Sequence, residues 1–425
     1  MKKGRIFFSW FWVILCAASI FAIVPLARSI QNLVTRTLGR AAFGYFVLFS
    51  IALFFVLIIW LLVFRLKIRR ISSYLCLTLV SSTYVYFTLK LWAHPEEAIH
   101  FLEYGLLSFL LFRALRNHFS DLSIYFSALF LGSFVGLLDE ILQWITPKRY
   151  WDFRDVGLNA LAVFLFQIAL AFGLQPRGIS LSISPRSLRF ASLTLAANLI
   201  LLGLCFSNTP QRVAQYSRFL PGLSFLEKEE IMHDFQIKKH HLPGLGIFFS
   251  RLELEELKMI DRQRGKELAN LLHQWAEKPY EEFLRTFGAQ KEPFLHEFRV
   301  RLFRRDQKLK EAQQLPPGRK KDKALLAAYR ENLFLERYFG QTLRLSGKAW
   351  PDDLTYQLAK KINPKTPYRS PVGAGFWLFR SELTLWLTII ILLLILAMIN
   401  LIFAFLKQEQ KKKNQPAGGI EPSTC

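Results

Sequence analysis

Residues 137–164 read LLDEILQWITPKRYWDFRDVGLNALAVF. Both flanks are apolar enough to lie in lipid. The stretch nevertheless holds Asp139, Glu140, Asp152 and Asp155, the cations Lys148, Arg149 and Arg154, and the amides Gln143 and Asn159. An ionisable group within a membrane helix costs roughly 2.5–3.5 kcal/mol on insertion scales, so it faces a partner or a wet cavity. The stretch therefore reads as two spanning helices, 123–145 and 155–174, whose polar ends meet across a short loop at one face of the membrane.

The rest of the chain agrees. It has 425 residues, is 52% hydrophobic and carries a formal net charge of +23. A soluble protein this basic would point to nucleic acid. Here the apolar residues come in blocks near twenty long with the cations between them, which is the pattern of a polytopic membrane protein. No basic stretch interleaves with aromatics as a nucleic-acid-binding domain does, so no nucleic-acid partner is expected. Eight spans are read: about 6–26, 41–64, 73–92, 97–114, 123–145, 155–174, 189–206 and 383–406. The first follows Lys2, Lys3 and Arg5 and reads as a retained anchor rather than a cleaved signal.

The cations set the orientation. Met1–Arg5, Arg65–Arg70, Arg113–Arg116, the loop with Arg177, Arg186 and Arg189, and the tail with Lys407 and Lys411–Lys413 all fall on one side if there are eight spans. That side is then cytoplasmic and holds both termini, in a bacterial inner membrane. The loop with Arg28, Arg36 and Arg40 falls on the other side, against the rule.

The expected fold is an all-α polytopic bundle with a helical extracytoplasmic domain. Its parts are an N-terminal transmembrane hairpin (1–72), a transmembrane core (73–206), the outer domain (207–375), a last span (376–406) and a basic tail (407–425). In the outer domain, 249–278 has apolar residues at helical spacing with Ser250 as N-cap; 292–315, 323–343 and 352–362 follow as helices. His233, His240 and His241 read as solvated loop residues, and no cysteine or histidine spacing marks a metal or disulfide framework. No cofactor and no resident metal is expected. Cys16, Cys76 and Cys205 read as small buried hydrophobes.

This topology puts Asp139, Glu140 and Gln143 at the outer end of one span, Asp155 and Asn159 at the outer start of the next, and Glu97, His100, Glu103 and Tyr104 at the outer start of an earlier one. Ser133, Gly136, Glu140 and Gln143 share a helix face, as do Asp155, Asn159 and Ala162. If these three spans pack together, the faces converge. The competing reading is that the polar residues only glue helices and anchor a loop, with Arg149 or Arg154 paired to Glu140, Asp152 or Asp155.

The segments 94–115 (HPEEAIHFLEYGLLSFLLFRAL) and 132–162 (GSFVGLLDEILQWITPKRYWDFRDVGLNALA) resemble the VanZ-like family of membrane proteins. The similar features are His100 and Tyr104 four apart at a helix start, Glu140 and Gln143 at a helix end, Arg149 in the loop with Asp152, and Asp155 followed by Asn159. The resemblance covers mainly 73–174, about a quarter of the chain. It implies an integral membrane protein. The family's namesake is associated with low-level resistance to the glycopeptide teicoplanin, so an effect on glycopeptide susceptibility is an expectation.

Three functions remain open. In the first, the cluster binds or modulates a polar envelope component, a lipid-linked cell-wall precursor or a phospholipid headgroup. Arg149 and His100 suit phosphate; the carboxylates suit amines, sugar hydroxyls or a divalent cation. Its binding set is His100, Tyr104, Glu140, Gln143, Arg149, Asp152, Asp155 and Asn159. In the second, Glu140, Asp155 and His100 carry acid–base catalysis on a lipid or wall substrate; no nucleophile elbow, metalloprotease helix or phosphate-cradling glycine loop accompanies them. The third, transport, fits least, because the acids lie near one face and no inverted repeat is visible.

Overall fold

A computed structural model describes residues 2–147, 149, 151–226, 232–373 and 381–413. Lys148 and Tyr150 of the polar loop and the tail beyond Lys413, with Cys425, lie outside the described residues. The chain forms two compact units: one holds the residues up to Cys205 and those from Leu385 onward, the other Phe206–Thr384.

The first unit is all helix. Its elements are α1 (Lys2–Ile23), α2 (Ala27–Leu38), α3 (Ala42–Trp60), α4 (Ile71–Lys90), α5 (His100–Leu115), α6 (Ser123–Trp144), α7 (Phe153–Ile168) and α8 (Pro185–Phe206). The C-terminal helix Glu382–Lys413 completes it. Among the described residues, seven helical segments are long and apolar enough to cross a membrane: 3–23, 42–65, 95–115, 123–144, 153–174, 185–206 and 382–409. This is a multi-pass membrane protein.

The expected third span is α4, which forms over its expected range but is too polar to stand among the seven. Seven of its twenty residues are Ser or Thr. Thr83 and Thr88 turn their hydroxyls back on the Leu79 and Tyr84 carbonyls at 2.8 Å, which satisfies them without water. A face of Leu77, Val80, Tyr84 and Thr88 is buried, and Tyr84 Oη donates to the Ala162 carbonyl of α7 at 2.7 Å. This buried face and the hydrogen bond to α7 tie α4 into the bundle.

At the centre, α5 packs on α6 and α7, and α1 lies against α5. The α6–α7 contact is close because Gly132 and Gly136 stand on one face of α6. A Cβ at Gly132 would lie 2.8 Å from Val163 Cγ1 and Cγ2, and one at Gly136 2.8 Å from Asn159 Cβ. Small residues four apart let helix backbones approach in this way. The buried stripe of α6 is Gly132, Gly136, Glu140 and Gln143, so Gly132 takes the place expected of the half-buried Ser133.

The second unit departs from an all-helical expectation. It contains α9 (Pro210–Phe219), a hairpin of β1 (Lys238–Leu242) and β2 (Gly246–Ser250), then α10 (Leu254–Gln274), α11 (Tyr280–Thr286), α12 (Pro293–Gln314), α13 (Arg319–Tyr338), α14 (Gly340–Leu345) and α15 (Asp352–Lys361). The strands are antiparallel, Lys238 opposite Ser250 and Leu242 opposite Gly246. Gly246 has φ +123°, and a Cβ there would lie 2.3 Å from the Tyr368 carbonyl oxygen, which accepts from Ile247 N at 2.9 Å. Only glycine fits. Ser250 therefore ends a strand and donates to Glu297 Oε2 at 2.7 Å, while Glu253 caps α10 in a reciprocal pair with Glu256. His240 and His241 lie in β1, and His233 is buried between Phe206 and Phe235 rather than solvated.

The core of this unit is built on Arg301, which is fully buried. It bonds Glu297 at 2.8 Å and Glu331 at 3.1 Å and lies 4.1 Å from the Phe334 ring centre. Burial works against its charge, but the two carboxylates outweigh that and raise its pKa. The helix Glu382–Lys413, α16, closes the described chain.

Candidate functional site

Three helix ends build the site. Pro95 opens a 3₁₀ turn, Pro95–Ile99, that runs into α5 and sets His100 at its first position. Glu140 and Gln143 close α6. Asp152 caps α7 by accepting from Arg154 N at 2.7 Å, which fixes Asp155 in the first turn and Asn159 one turn further on.

All eight residues expected to bind ligand are drawn into this one region. Tyr104 Oη donates to Asp139 Oδ2 at 3.1 Å. Gln143 Nε2 donates to Glu140 Oε1 at 3.0 Å and reaches Asp139 Oδ2 at 3.4 Å. Arg149 Nη2 donates to Gln143 Oε1. Donor atoms of His100, Glu140 and Asp155 lie within 4.8 Å of one another. Asp152 is half exposed, lines the same cavity and serves as the cap of α7.

The expected arginine pairings hold for Arg154 and not for Arg149. Arg154 binds Glu97 Oε1 at 2.6 Å and also pairs with Asp152 at 3.5 Å and Asp155 at 3.8 Å. Arg149 binds an amide rather than an acid. Burial lowers the pKa of Arg149, and the neighbouring Glu140 opposes that shift. Among the described residues no ion pair reaches Glu140 or Asp139, although both are at most 2% exposed. Several polar atoms here are buried without a hydrogen-bond partner: His100 Nδ1, Asp139 Oδ1, Glu140 Oε2, Arg149 Nε, Asp155 Oδ1, and both amide atoms of Asn159. Native interiors rarely leave such atoms unmatched, so their concentration marks a place that ligand or water completes.

Of these residues, His100, Asp139, Arg149 and Asp155 line a cavity of about 590 Å³. One wall is apolar, from Ile20, Ile23 and Val24 of α1, Ile30 of α2 and Phe43 of α3. The other is charged, from Glu97, His100, Glu103, Asp139, Arg149, Arg154 and Asp155. Sequence reading missed a further group at the mouth. The 27–40 stretch, expected as a loop, forms helix α2, whose Gln31 donates to Glu96 Oε1 at 2.8 Å. Arg40 forks onto Glu96, with Nε at 3.1 Å from Oε2, and its Nη2 lies 2.9 Å from His94 Nδ1. That hydrogen bond to Glu96 raises the Arg40 pKa. Arg40 is among the loop cations that the expected topology places against the charge rule, and it is engaged by an acid.

Comparison of the chain with family models, with curated proteins and with solved structures finds no match.

Proposed function

We propose that this is a VanZ-like protein of the bacterial inner membrane whose cavity, at the outer face, takes the polar end of an envelope amphiphile, a phospholipid headgroup or a lipid-linked wall precursor. One observation carries the reading: a single cavity has an apolar wall on α1–α3 and a charged wall with unmatched polar atoms on α5–α7. An amphiphile needs both walls. Arg149 keeps an unused Nε donor there, which suits a phosphate oxygen. In this reading the 207–375 region lies outside, the termini lie in the cytoplasm, and loss of the protein alters susceptibility to envelope-directed drugs such as glycopeptides.

A second reading is an enzyme acting on the same class of molecule. The convergence of His100, Glu140 and Asp155 favours it, since acid–base chemistry needs such groups within reach of one substrate atom. The test compares wild type with Glu140→Gln, Asp155→Asn and His100→Ala in a strain lacking the protein, scoring membrane abundance and drug susceptibility together. Normal abundance with a lost phenotype supports a functional site. A phenotype that only follows falling abundance contradicts it and leaves these residues as helix glue.

A further inference from the structure

The geometry points to a binding site for a divalent first-row cation, of the Mn²⁺–Zn²⁺ class, formed by His100, Glu140 and Asp155. The proposal stands apart from the amphiphile reading, since it requires no lipid.

The three residues come from the starts of α5 and α7 and the end of α6, yet each brings a donor atom within 4.8 Å of the other two. Ligand atoms on a cation at roughly 2.0–2.2 Å are about 3.4 Å apart at a tetrahedral angle, so the set closes on an ion by side-chain adjustment of about an ångström. Glu140 is the second, independent observation. It is fully buried, its Oε2 has no hydrogen-bond partner, and among the described residues no cationic side chain pairs with it. Of the cations on the neighbouring loop and helix start, Arg154 binds Glu97 and Arg149 donates to Gln143.

The surroundings are those of a ligand set. Gln143 Nε2 holds Glu140 Oε1 at 3.0 Å, with the Asp152 backbone N–H also directed at this carboxylate. Neighbours that fix one oxygen in this way orient the other toward a metal. Among the described residues Asp155 pairs with Arg154 Nε alone, at 3.8 Å from its Oδ1, and His100 Nδ1 stands 3.6 Å from Glu103 without a hydrogen bond. The buried Glu140 carboxylate and the partly buried Asp155 carboxylate near it repel each other where the dielectric is low. A neutral imidazole, two carboxylates and a divalent cation sum to zero, which removes that repulsion.

The donor set selects the metal. Mg²⁺ and Ca²⁺ favour sites of oxygen alone with more ligands. A nitrogen among oxygens suits the first-row ions, and three protein ligands leave positions open for water or a substrate oxygen.

The test uses the purified full-length chain in detergent, stripped with chelator, and titrates Mn²⁺ alone by electron paramagnetic resonance and Zn²⁺ alone by calorimetry. The expected result is one saturable site per chain. Glu140→Gln and Asp155→Asn each lower affinity at least ten-fold, while Glu96→Gln, elsewhere on the same cavity, leaves it unchanged. Monodispersity by size exclusion qualifies each variant, and His100→Ala carries the test if Glu140→Gln does not accumulate. Three results would each overturn the proposal: no saturable site, equal losses in Glu96→Gln and Glu140→Gln, or tighter binding of Ca²⁺ or Mg²⁺ than of Mn²⁺ and Zn²⁺. Lipid binding measured in chelator decides the amphiphile reading separately, so either idea can fail alone.

Discussion

Gly136→Ala tests the packing that creates the site. A Cβ at this position would sit 2.8 Å from Asn159 Cβ, 3.3 Å from Tyr104 Cε1 and 3.4 Å from Asn159 Nδ2. Ordinary contact begins near 3.4 Å, so α7 or Asn159 must give by about half an ångström or more. Overpacking of this kind costs about 1–3 kcal/mol. Alanine also gains about 0.5–1 kcal/mol over glycine in a helix, which hides part of the cost. Gly157→Ala removes the ambiguity. Gly157 lies on α7 with nothing within 4 Å of its would-be Cβ, so that variant gains the helix term and pays no steric one. The helix term cancels between the two variants, leaving Gly136→Ala less stable than Gly157→Ala by about 1–3 kcal/mol. Unfolding in mixed micelles by rising SDS, followed by circular dichroism, measures the gap. Equal stability of the two variants would refute the close α6–α7 contact, and with it the placement of Asn159 and Tyr104 around Glu140.

Three further outcomes concern the second unit, each read by hydrogen exchange on its peptides in the full chain. Arg301→Met leaves Glu297 buried without its cation and Glu331 with Arg304 alone, at 3.8 Å, and should cost about 3–5 kcal/mol; exchange unchanged from wild type would show that the buried pairs do not stabilise this core. His296 is held neutral by burial, with its pKa lowered to about 4 from an ordinary 6.5. Its unfolded form binds the proton first, so stability is intact above about pH 6.5 and falls by about 3 kcal/mol as the pH drops to about 4; His296→Gln should flatten that part of the profile. Gly246→Ala forces a side chain onto the Tyr368 carbonyl at positive φ and should expose the 238–250 hairpin to rapid exchange, whereas Gly222→Ala, with open space around it, should not.

Much of this molecule was legible from residues 137–164 and their flanks. Apolar blocks near twenty residues give spans because hydrocarbon admits little else, and charges at their ends give a level at which polar groups meet. The convergence of His100, Tyr104, Glu140, Gln143, Asp155 and Asn159 follows from three helix ends at that level. What escaped depends on contacts between distant segments. Nothing in the spacing of Arg40 and Glu96 says that they pair, and Arg149 could not be assigned to Gln143 rather than an acid without the loop's path. The His100, Glu140 and Asp155 set comes from three helices, so no local motif marks it. The hairpin was missed because KKHHLPGLGIFFS lacks clean alternation and depends on a third segment, Tyr368–Ser370, to complete its hydrogen bonds. Gly136 was legible on its helix face, but Ser133 was read beside it where Gly132 stands, and their close partner on α7 was not legible.

The most direct test of the cavity's role is native mass spectrometry of the intact protein released from its own membrane, in the presence of chelator. Wild type should carry a phosphate-bearing amphiphile. Arg149→Ala, which removes the cation facing the headgroup, and Ile23→Trp, which fills the apolar wall, should both lose it while remaining monodisperse. Wild type free of any such molecule, or both variants retaining it in full, would contradict the assignment of this cavity as an amphiphile site.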